Sequence, residues 1–250
     1  MNGQQSTVDS EQSLLTVHRS LFTAFVLAGG LGTRLRPVSG TRPKALMPIG
    51  GQPFLRRLLE RLAAQDVREC VLCLGYGAQA ITDYFDAHPR DAMRLHYSIE
   101  SAPRGTAGAL RVAQAYWAAH NLILNGDTEL TFDIAQLRDA HLACRADVTI
   151  GLAHVADASR FGRVRLADDG RVLAFMEKDG VAQSDLVNAG IYLATRDALD
   201  EIGADGNVSI ERDWLPTLVR TGRAVCGCIV AAEFTDIGTP DDYWRLANRA

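Results

Sequence analysis

Short apolar runs alternate with helical patterns along most of the chain. The run at 22–28 has the length and apolar character of a buried strand, whereas Leu55, Leu58 and Leu62 recur at the spacing of one helix face. The alternation continues downstream, with strands expected at 69–75, 94–99 and 121–125 and helices at 54–65, 78–87, 106–119 and 132–144. A chain patterned in this way is expected to form a Rossmann-like α/β fold, with a mostly parallel sheet and helices on both faces.

The pattern changes between residues 147 and 195. Short strand-like segments are separated there by polar turns such as the Asp-Asp-Gly at 168–170. They predict a small antiparallel insert or edge built onto the same sheet. Helical patterns return at 209–221 and 240–249.

The composition is that of an ordinary globular protein. The chain has 250 residues, of which 47% are hydrophobic and 22% are charged. Because no Pro/Ser-rich linker or repeat interrupts the pattern, we expect a single domain over residues 21–250. The polar segment 1–20 is expected to be a flexible N-terminal extension.

The net charge and the number of cysteines indicate which partners are excluded and which cellular compartment is expected. The net charge of −4 argues against a nucleic-acid or membrane partner, since either surface requires a basic excess. Neither a run of about eighteen apolar residues nor a signal-peptide pattern is present. The odd count of five cysteines indicates a reducing compartment, so we predict a cytoplasmic protein. Cys70 and Cys73, although spaced as CxxC, lie in a strand pattern and are predicted core thiols, as are Cys226 and Cys228.

The stretch at 27–44, LAGGLGTRLRPVSGTRPK, follows the first predicted strand. It crowds glycines together with Arg34 and Lys44. Glycines let backbone amides approach oxygens closely and cations neutralise them, so the loop is either a polyphosphate cradle or a solvated turn. Ligands of open α/β sheets bind beyond the carboxyl ends of the strands, where this loop and those at 100–108 and 125–127 are expected to converge.

The motif is specific enough to compare with known phosphate loops. It lacks the GxxxxGK[ST] of a P-loop and the third glycine of GxGxxG, which makes a nicotinamide-dependent oxidoreductase a remote alternative. The pattern G-x-G-T-R-L-x-P followed by P-K instead resembles the signature of the sugar-1-phosphate nucleotidylyltransferases. LNGD, FMEK, NAGIY and FTDIG follow in the family's order, so the resemblance covers most of residues 22–248. It is greatest to the short heptose- and mannose-1-phosphate guanylyltransferases, with one departure at Ala45, where the family usually has proline.

The resemblance implies a nucleotide-diphospho-sugar transferase fold and a defined reaction. Such an enzyme joins a sugar 1-phosphate to a nucleoside triphosphate and releases pyrophosphate. A phosphate monoester has its second pKa near 6, so the attacking oxygen needs no general base at pH 7. The task is to position two anions and neutralise their charge, which suits backbone amides, Arg34, Lys44 and Mg²⁺. The implied catalytic residues are Arg34, Lys44 and Asp127, and the implied metal ligands are Asp127 and Asp236, each of which has a turn or cap residue as its alternative.

The nucleotide-binding residues also follow from the resemblance. They are Leu27, Gly29, Gly30, Gly32, Thr33, Glu100, Gly105 and Thr106. Glu100 occupies the base-reading position, where a carboxylate accepts from both N1–H and N2–H₂ of guanine, although a solvated loop acid is an open alternative. Uracil or thymine, with one donor beside acceptors, suits a glutamine better.

The resemblance also implies where the sugar binds. Glu177 and Asn188, with Gly190 beside them, would hold ring hydroxyls, while Lys178 would reach the sugar phosphate. The alternative is an exposed ion pair and a turn asparagine.

We therefore expect an Mg²⁺-dependent sugar-1-phosphate guanylyltransferase that uses GTP and makes a GDP-activated heptose or hexose for surface polysaccharide. The alternatives are a mannose-1-phosphate guanylyltransferase, a uridylyl- or thymidylyltransferase, and a catalytically silent nucleotide-sugar-binding subunit. A homo-oligomer is left open.

Overall fold

A nine-stranded mixed sheet forms the centre of the computed structural model, which describes residues 22–89, 92–155, 162–176, 186–230 and 234–249. The expected extension at 1–20 lies outside the described residues. The strands are β1 (Phe22–Leu27), β2 (Pro48–Ile49), β3 (Gln52–Pro53), β4 (Glu69–Leu74), β5 (Arg94–Ile99), β6 (His120–Asn125), β7 (Thr128–Leu130), β8 (Val148–His154), β9 (Arg163–Leu166), β10 (Val172–Met176), β11 (Leu186–Thr195), β12 (Val225–Ile229) and β13 (Phe234–Asp236). The helices are α1 (Arg36–Ser39), α2 (Phe54–Ala64), α3 (Ala78–Ala87), α4 (Gly105–Val112), α5 (Ile134–Ala143), α6 (Arg196–Asp200), α7 (Leu215–Arg220) and α8 (Pro240–Ala247), with a π-helix at Ile210–Trp214 and 3₁₀ turns at Thr33–Leu35, Lys44–Leu46 and Gln114–Tyr116.

The sheet is mostly parallel, as predicted. Its main path runs β12-β8-β11-β6-β1-β4-β5, and β11 is the strand on that path that runs antiparallel to its neighbours. The predicted antiparallel insert is found in the β9–β10 hairpin, which joins β11 through the pair Val187 and Arg163. The expectation for the rest of 147–195 needs correction, because β8 and β11 lie inside the main sheet.

Alternating side chains divide the core into two layers. Ala24 and Val26 of β1 pack with α2, α3 and α5 on one face, while Phe25 packs with α4, α6 and α7 on the other. Cys70 belongs to the first layer and Cys73 to the second, as expected for strand residues three apart. All five cysteines are free thiols, so the prediction of core thiols is confirmed for the four buried ones.

A third apolar cluster lies at the carboxyl end of the sheet. It packs α8 against the β2–β3 hairpin and against Leu35 at the end of the glycine-rich loop, and it includes Ile237. The Tyr243 hydroxyl donates to the Pro48 carbonyl at 2.9 Å. This cluster holds the loop after β1 and the loop after β13 in one place.

No helix among the described residues is long and apolar enough to cross a membrane.

Helix α4 ends at Val112, earlier than the predicted 119, because a 3₁₀ turn at Gln114–Tyr116 follows it.

Candidate active site

A cleft of about 700 Å³ opens at the carboxyl ends of β1, β4, β5 and β6. The predicted convergence of loops is therefore confirmed. Its wall includes these predicted residues: Leu27, Gly29, Gly30, Gly32, Thr33, Arg34, Lys44, Glu100, Gly105, Thr106 and Asp127.

Close backbone approach explains the glycines of the loop after β1. A Cβ at Gly29 would lie 2.9 Å from the Gly75 nitrogen, and the Gly29 carbonyl accepts from the Tyr76 N–H at 3.1 Å. Gly32 has φ of 57°, a left-handed conformation that favours glycine, before the turn that carries Arg34. Within the described part of the chain, no carbonyl or side chain accepts from the amides of Gly29, Gly30 or Gly32. These donors are available to a bound anion.

Lys44 is a largely buried cation in the cleft wall. It begins a short 3₁₀ turn after Pro43, and its side chain is 13% exposed. Its Nζ donates to Asp127 Oδ2 at 2.8 Å and lies 3.5 Å from Asp236 Oδ1. The structure thus brings together three residues that are 83 and 109 positions apart in the sequence (127 − 44 and 236 − 127).

A two-stranded ribbon places the two aspartates side by side. Strand β7 pairs antiparallel with β13 so that Thr128 faces Asp236, and the Ile237 N–H donates to the Asp127 carbonyl at 3.1 Å. Glu129 of β7 forms ion pairs with Arg61 and with Arg57, the latter at 3.5 Å, and so anchors the ribbon to α2.

The electrostatics of Asp236 fit a cation site. Burial raises its pKa, and the Asp127 carboxylate raises it further, while Lys44, Arg34 and the Gly238 N–H lower it. Its Oδ1 is buried and accepts no hydrogen bond, although the Lys44 ammonium lies 3.5 Å away. Carboxylate oxygens are the protein ligands that Mg²⁺ prefers, so the pair Asp127 and Asp236 fits a divalent ion. No group of three or more His, Cys, Asp or Glu residues arranged for a metal occurs among the described residues, so phosphate oxygens or water would complete the shell.

Glu100 lies at the end of β5, beneath the glycine-rich loop. Its Oε2 accepts from the Arg104 N–H at 3.1 Å, and its Oε1 packs against the Gly75 backbone. Burial raises the pKa of this carboxyl, and the Arg104 amide and guanidinium partly oppose the rise. The neighbouring Cys73 thiol has its pKa raised to about 12 by burial, so it stays a neutral wall residue.

Gly105 and Thr106 begin α4 at the cleft wall. The Thr106 Oγ1 accepts from the Ile210 N–H at 2.8 Å. The next two amides, those of Ala107 and Gly108, both donate to the Val208 carbonyl. The amides left for a base or ribose are therefore those of Gly105 and Thr106 themselves.

The predicted sugar residues are only partly described. Glu177 and Lys178 lie outside the described residues. Asn188 and Gly190 lie on either side of Ala189 at an irregularity of β11, beside the cleft and not in its described wall. Gly190 packs against the Asn125 side chain, and Asn125 does line the cleft.

Three residues that the sequence did not predict as functional also line the cleft: Asn125, Asn207 and Gly238. Asn125 and Gly238 belong to the motifs LNGD and FTDIG, so the motifs themselves could have indicated them. Asn207, by contrast, sits in a loop without periodicity, and only tertiary structure brings it to the cleft.

The fold, with its cleft at the carboxyl ends of parallel strands, is that of a Rossmann-like nucleotide-binding domain. The nucleotidyl transferase family model matches residues 23–250, and the chain belongs to that family. The predicted resemblance is thereby confirmed.

Two curated relatives and one solved structure align with most of this chain. Mannose-1-phosphate guanylyltransferase of Mycobacterium tuberculosis is 37% identical over 224 residues, 89% of this chain, and the chain spans 62% of that relative. D-glycero-α-D-manno-heptose 1-phosphate guanylyltransferase of Aneurinibacillus thermoaerophilus is 35% identical over 88% of this chain and 94% of its own. The solved structure of HddC from Yersinia pseudotuberculosis superposes with a TM-score of 0.81 at 32% identity, covering 92% of this chain and 99% of that one.

Proposed function

We propose that this chain transfers GMP from GTP to a sugar 1-phosphate, with D-glycero-α-D-manno-heptose 1-phosphate as the sugar substrate. The observation that carries the proposal is the Lys44 ammonium between Asp127 and Asp236, at 2.8 and 3.5 Å, beside a loop whose glycine amides have no acceptor among the described residues. Cations and free backbone amides bind anionic groups such as the phosphates of a nucleotide. The two carboxylates would hold the metal ion that accompanies those phosphates.

The relatives support the choice of base and sugar. Those from Aneurinibacillus thermoaerophilus and Campylobacter jejuni, which this chain spans to 94% and 97%, are both named heptose 1-phosphate guanylyltransferases. HddC from Yersinia pseudotuberculosis has also been solved complexed with GMP-PN. The relative from Mycobacterium tuberculosis is named a mannose-1-phosphate guanylyltransferase, so mannose 1-phosphate is the second candidate. We further propose that the reaction is cytoplasmic and supplies surface polysaccharide synthesis.

The reaction depends on neutralising the charge of two phosphate groups more than on proton transfer. An oxygen of the sugar phosphate attacks the α-phosphorus of GTP, the bond from that phosphorus to the bridging β-phosphate oxygen breaks, and pyrophosphate leaves. The attacking oxygen is already unprotonated at pH 7, so no side chain needs to accept a proton. Two unit charges 4 Å apart interact by about 4 kcal/mol at an effective dielectric constant near 20, so each well-placed cation offsets much of the repulsion.

The residues divide this work by position. The amides of the glycine-rich loop would hold the triphosphate, Arg34 would neutralise the leaving phosphates, and Lys44 would exchange its bond to Asp127 for phosphate oxygens. Glu100 would accept from guanine N1–H and N2–H₂ while it keeps its bond to the Arg104 amide.

A divalent metal is used generally in this family. Here we propose Mg²⁺ held by Asp127 and Asp236. When bound, it supplies positive charge to the phosphate oxygens. The chain's own contribution is to hold the two carboxylates in register through the β7–β13 ribbon.

A substrate matrix tests the proposal. Purified protein is incubated with GTP, UTP or dTTP against heptose, mannose or glucose 1-phosphate, and pyrophosphate release is followed. We expect the highest kcat/KM for GTP with the heptose phosphate. Preference for UTP or dTTP would refute guanylyl transfer, and preference for mannose 1-phosphate would refute the heptose assignment alone.

A further inference from the structure

Lys44 forms ionic contacts with the same two carboxylates that are proposed to hold the metal. Its Nζ donates to Asp127 Oδ2 at 2.8 Å and lies 3.5 Å from Asp236 Oδ1. That Asp236 oxygen is buried and accepts no hydrogen bond, so it faces the ammonium as a charge alone. Lys44 therefore occupies the position of a cation between the two carboxylates.

The two carboxylates share this one ammonium. Within the described part of the chain, no other basic side chain lies within ion-pair distance of Asp127 or Asp236. Two negative charges thus face one positive charge, and the ammonium is carried by a side chain that is 13% exposed. A divalent ion would balance both carboxylates, but it would repel the ammonium at such a short distance. Lys44 and a metal ion therefore compete for this position.

The backbone of Lys44 is fixed, whereas its side chain can change partner. The Leu46 N–H donates to the Pro43 carbonyl at 2.9 Å, and the Met47 N–H donates to the Lys44 carbonyl at 3.1 Å. The Lys44 Cβ lies 3.4 Å from the position that a Cβ on Gly32 would take, so the residue lies against the glycine-rich loop. A lysine carries its ammonium on a long, flexible stem. The ammonium can therefore reach a phosphate bound at this loop while the backbone stays in place.

Phosphates bound at the glycine-rich loop would offer the ammonium other partners. The amides of Gly30 and Gly32 have no acceptor among the described residues, and both glycines line the cleft together with Lys44 and Asp127. A phosphate oxygen is a strong acceptor for an ammonium, and a triphosphate carries more negative charge than one carboxylate. Transfer of the ammonium to phosphate would leave Asp127 and Asp236 available to a metal ion.

We propose that Lys44 blocks the metal site of the nucleotide-free protein, and that the phosphates of the nucleotide open this site by drawing the ammonium away from Asp127 and Asp236. The metal is then bound tightly only together with the nucleotide. The inference rests on the proposed function and concerns the regulation of its metal site. It gives Lys44 a second role, which acts before any phosphorus–oxygen bond is broken.

Mn²⁺ binding to the nucleotide-free protein tests the first half of this inference. Binding is followed by electron paramagnetic resonance for wild type, Lys44→Met, the double variant Lys44→Met/Asp127→Asn and the matched control Arg42→Met. The control removes one positive charge from the same segment, but the exposed Arg42 pairs with neither of the described aspartates. We expect Lys44→Met to bind Mn²⁺ at least about 10-fold more tightly than wild type, the double variant to lose that gain, and the control to change less than about threefold.

Nucleotide binding without metal tests the second half. Lys44 and Lys178 are the two lysines of the chain, so protein labelled with ¹³C,¹⁵N-lysine gives two side-chain signals in an NMR spectrum, and Lys178→Arg identifies the Lys44 signal. In EDTA, Asp127→Asn should shift the Lys44 signal of the nucleotide-free protein, because the substitution changes the partner at 2.8 Å. With saturating GTP, the Lys44 signals of wild type and Asp127→Asn should coincide, because the ammonium then contacts phosphate in both proteins.

Two results would overturn the inference. One is Mn²⁺ binding by Lys44→Met that is weaker than that of wild type or within about threefold of it, with cooperative urea unfolding retained. The other is a Lys44 signal that GTP does not move. Both concern steps before transfer, so guanylyl transfer by wild type in the substrate matrix would still stand. A wild type that binds no GTP would instead overturn both the inference and the proposed function.

Discussion

Gly238→Ala is a one-methyl perturbation of the proposed metal site. Gly238 does not have a positive φ, so alanine can adopt its backbone conformation. Its Cβ, however, would lie 2.6 Å and 2.8 Å from the two carboxylate oxygens of Asp236. Ordinary contact begins at 3.4 Å, so the carboxylate must move by about 0.8 Å (3.4 − 2.6).

That displacement is large for a metal ligand and small for the fold. Mg²⁺ requires oxygens at about 2.0–2.1 Å, with a tolerance of about 0.2 Å. We therefore expect divalent-metal affinity to fall about 10- to 100-fold. The free energy of unfolding should fall by no more than about 1–3 kcal/mol, because the end of a short side chain gives way and not the backbone.

Metal affinity is measured directly, without turnover. Mn²⁺ binding is followed by electron paramagnetic resonance for wild type, Gly238→Ala and the control Gly203→Ala, whose Cβ would meet no heavy atom closer than 4.0 Å. Urea unfolding of the same proteins reports stability. A dissociation constant unchanged within about twofold in Gly238→Ala would show that Asp236 does not hold the metal.

Three further perturbations test other parts of the account. Lys44→Met should lower kcat/KM at least about 100-fold with cooperative unfolding retained, and near-normal activity would remove Lys44 from the reaction. Glu100→Gln should cost GTP about 10- to 100-fold and UTP less, because an amide donor then faces a guanine donor; an unchanged GTP/UTP ratio in kcat/KM would place base reading elsewhere. His141 has its pKa lowered to about 4, chiefly by burial, so the unfolded state binds its proton first as pH falls below about 6.5. Between pH 7.5 and pH 4.5, His141 should therefore contribute about 2.5 kcal/mol to the loss of unfolding free energy measured by urea titration, and His141→Asn should reduce the total loss by about that amount; equal losses in both proteins would contradict this.

The sequence predicted the parts of the fold that rest on periodicity. Apolar runs such as 22–27 and the helical stripe at 54–64 are long enough to specify one strand and one helix each. Their alternation then determined a parallel sheet with its cleft at the carboxyl ends. The glycine-rich loop was predictable as well, because its motif depends on local backbone chemistry.

Other features depend on contacts between distant residues and had no local signal. Strands β7 and β13 have three residues each, too few for a periodic pattern, yet their pairing brings Asp127 beside Asp236. The place of β11 inside the main sheet follows from its partners and not from its own apolar sequence.

Product analysis tests guanylyl transfer by this site most directly. Wild type and Asp127→Asn are incubated with GTP, heptose 1-phosphate and Mg²⁺, and products are identified by ³¹P NMR and mass spectrometry. We expect GDP-heptose and pyrophosphate in equal amounts from wild type, and both lowered together in Asp127→Asn. GDP with inorganic phosphate, or binding of GTP without any product, would contradict the account.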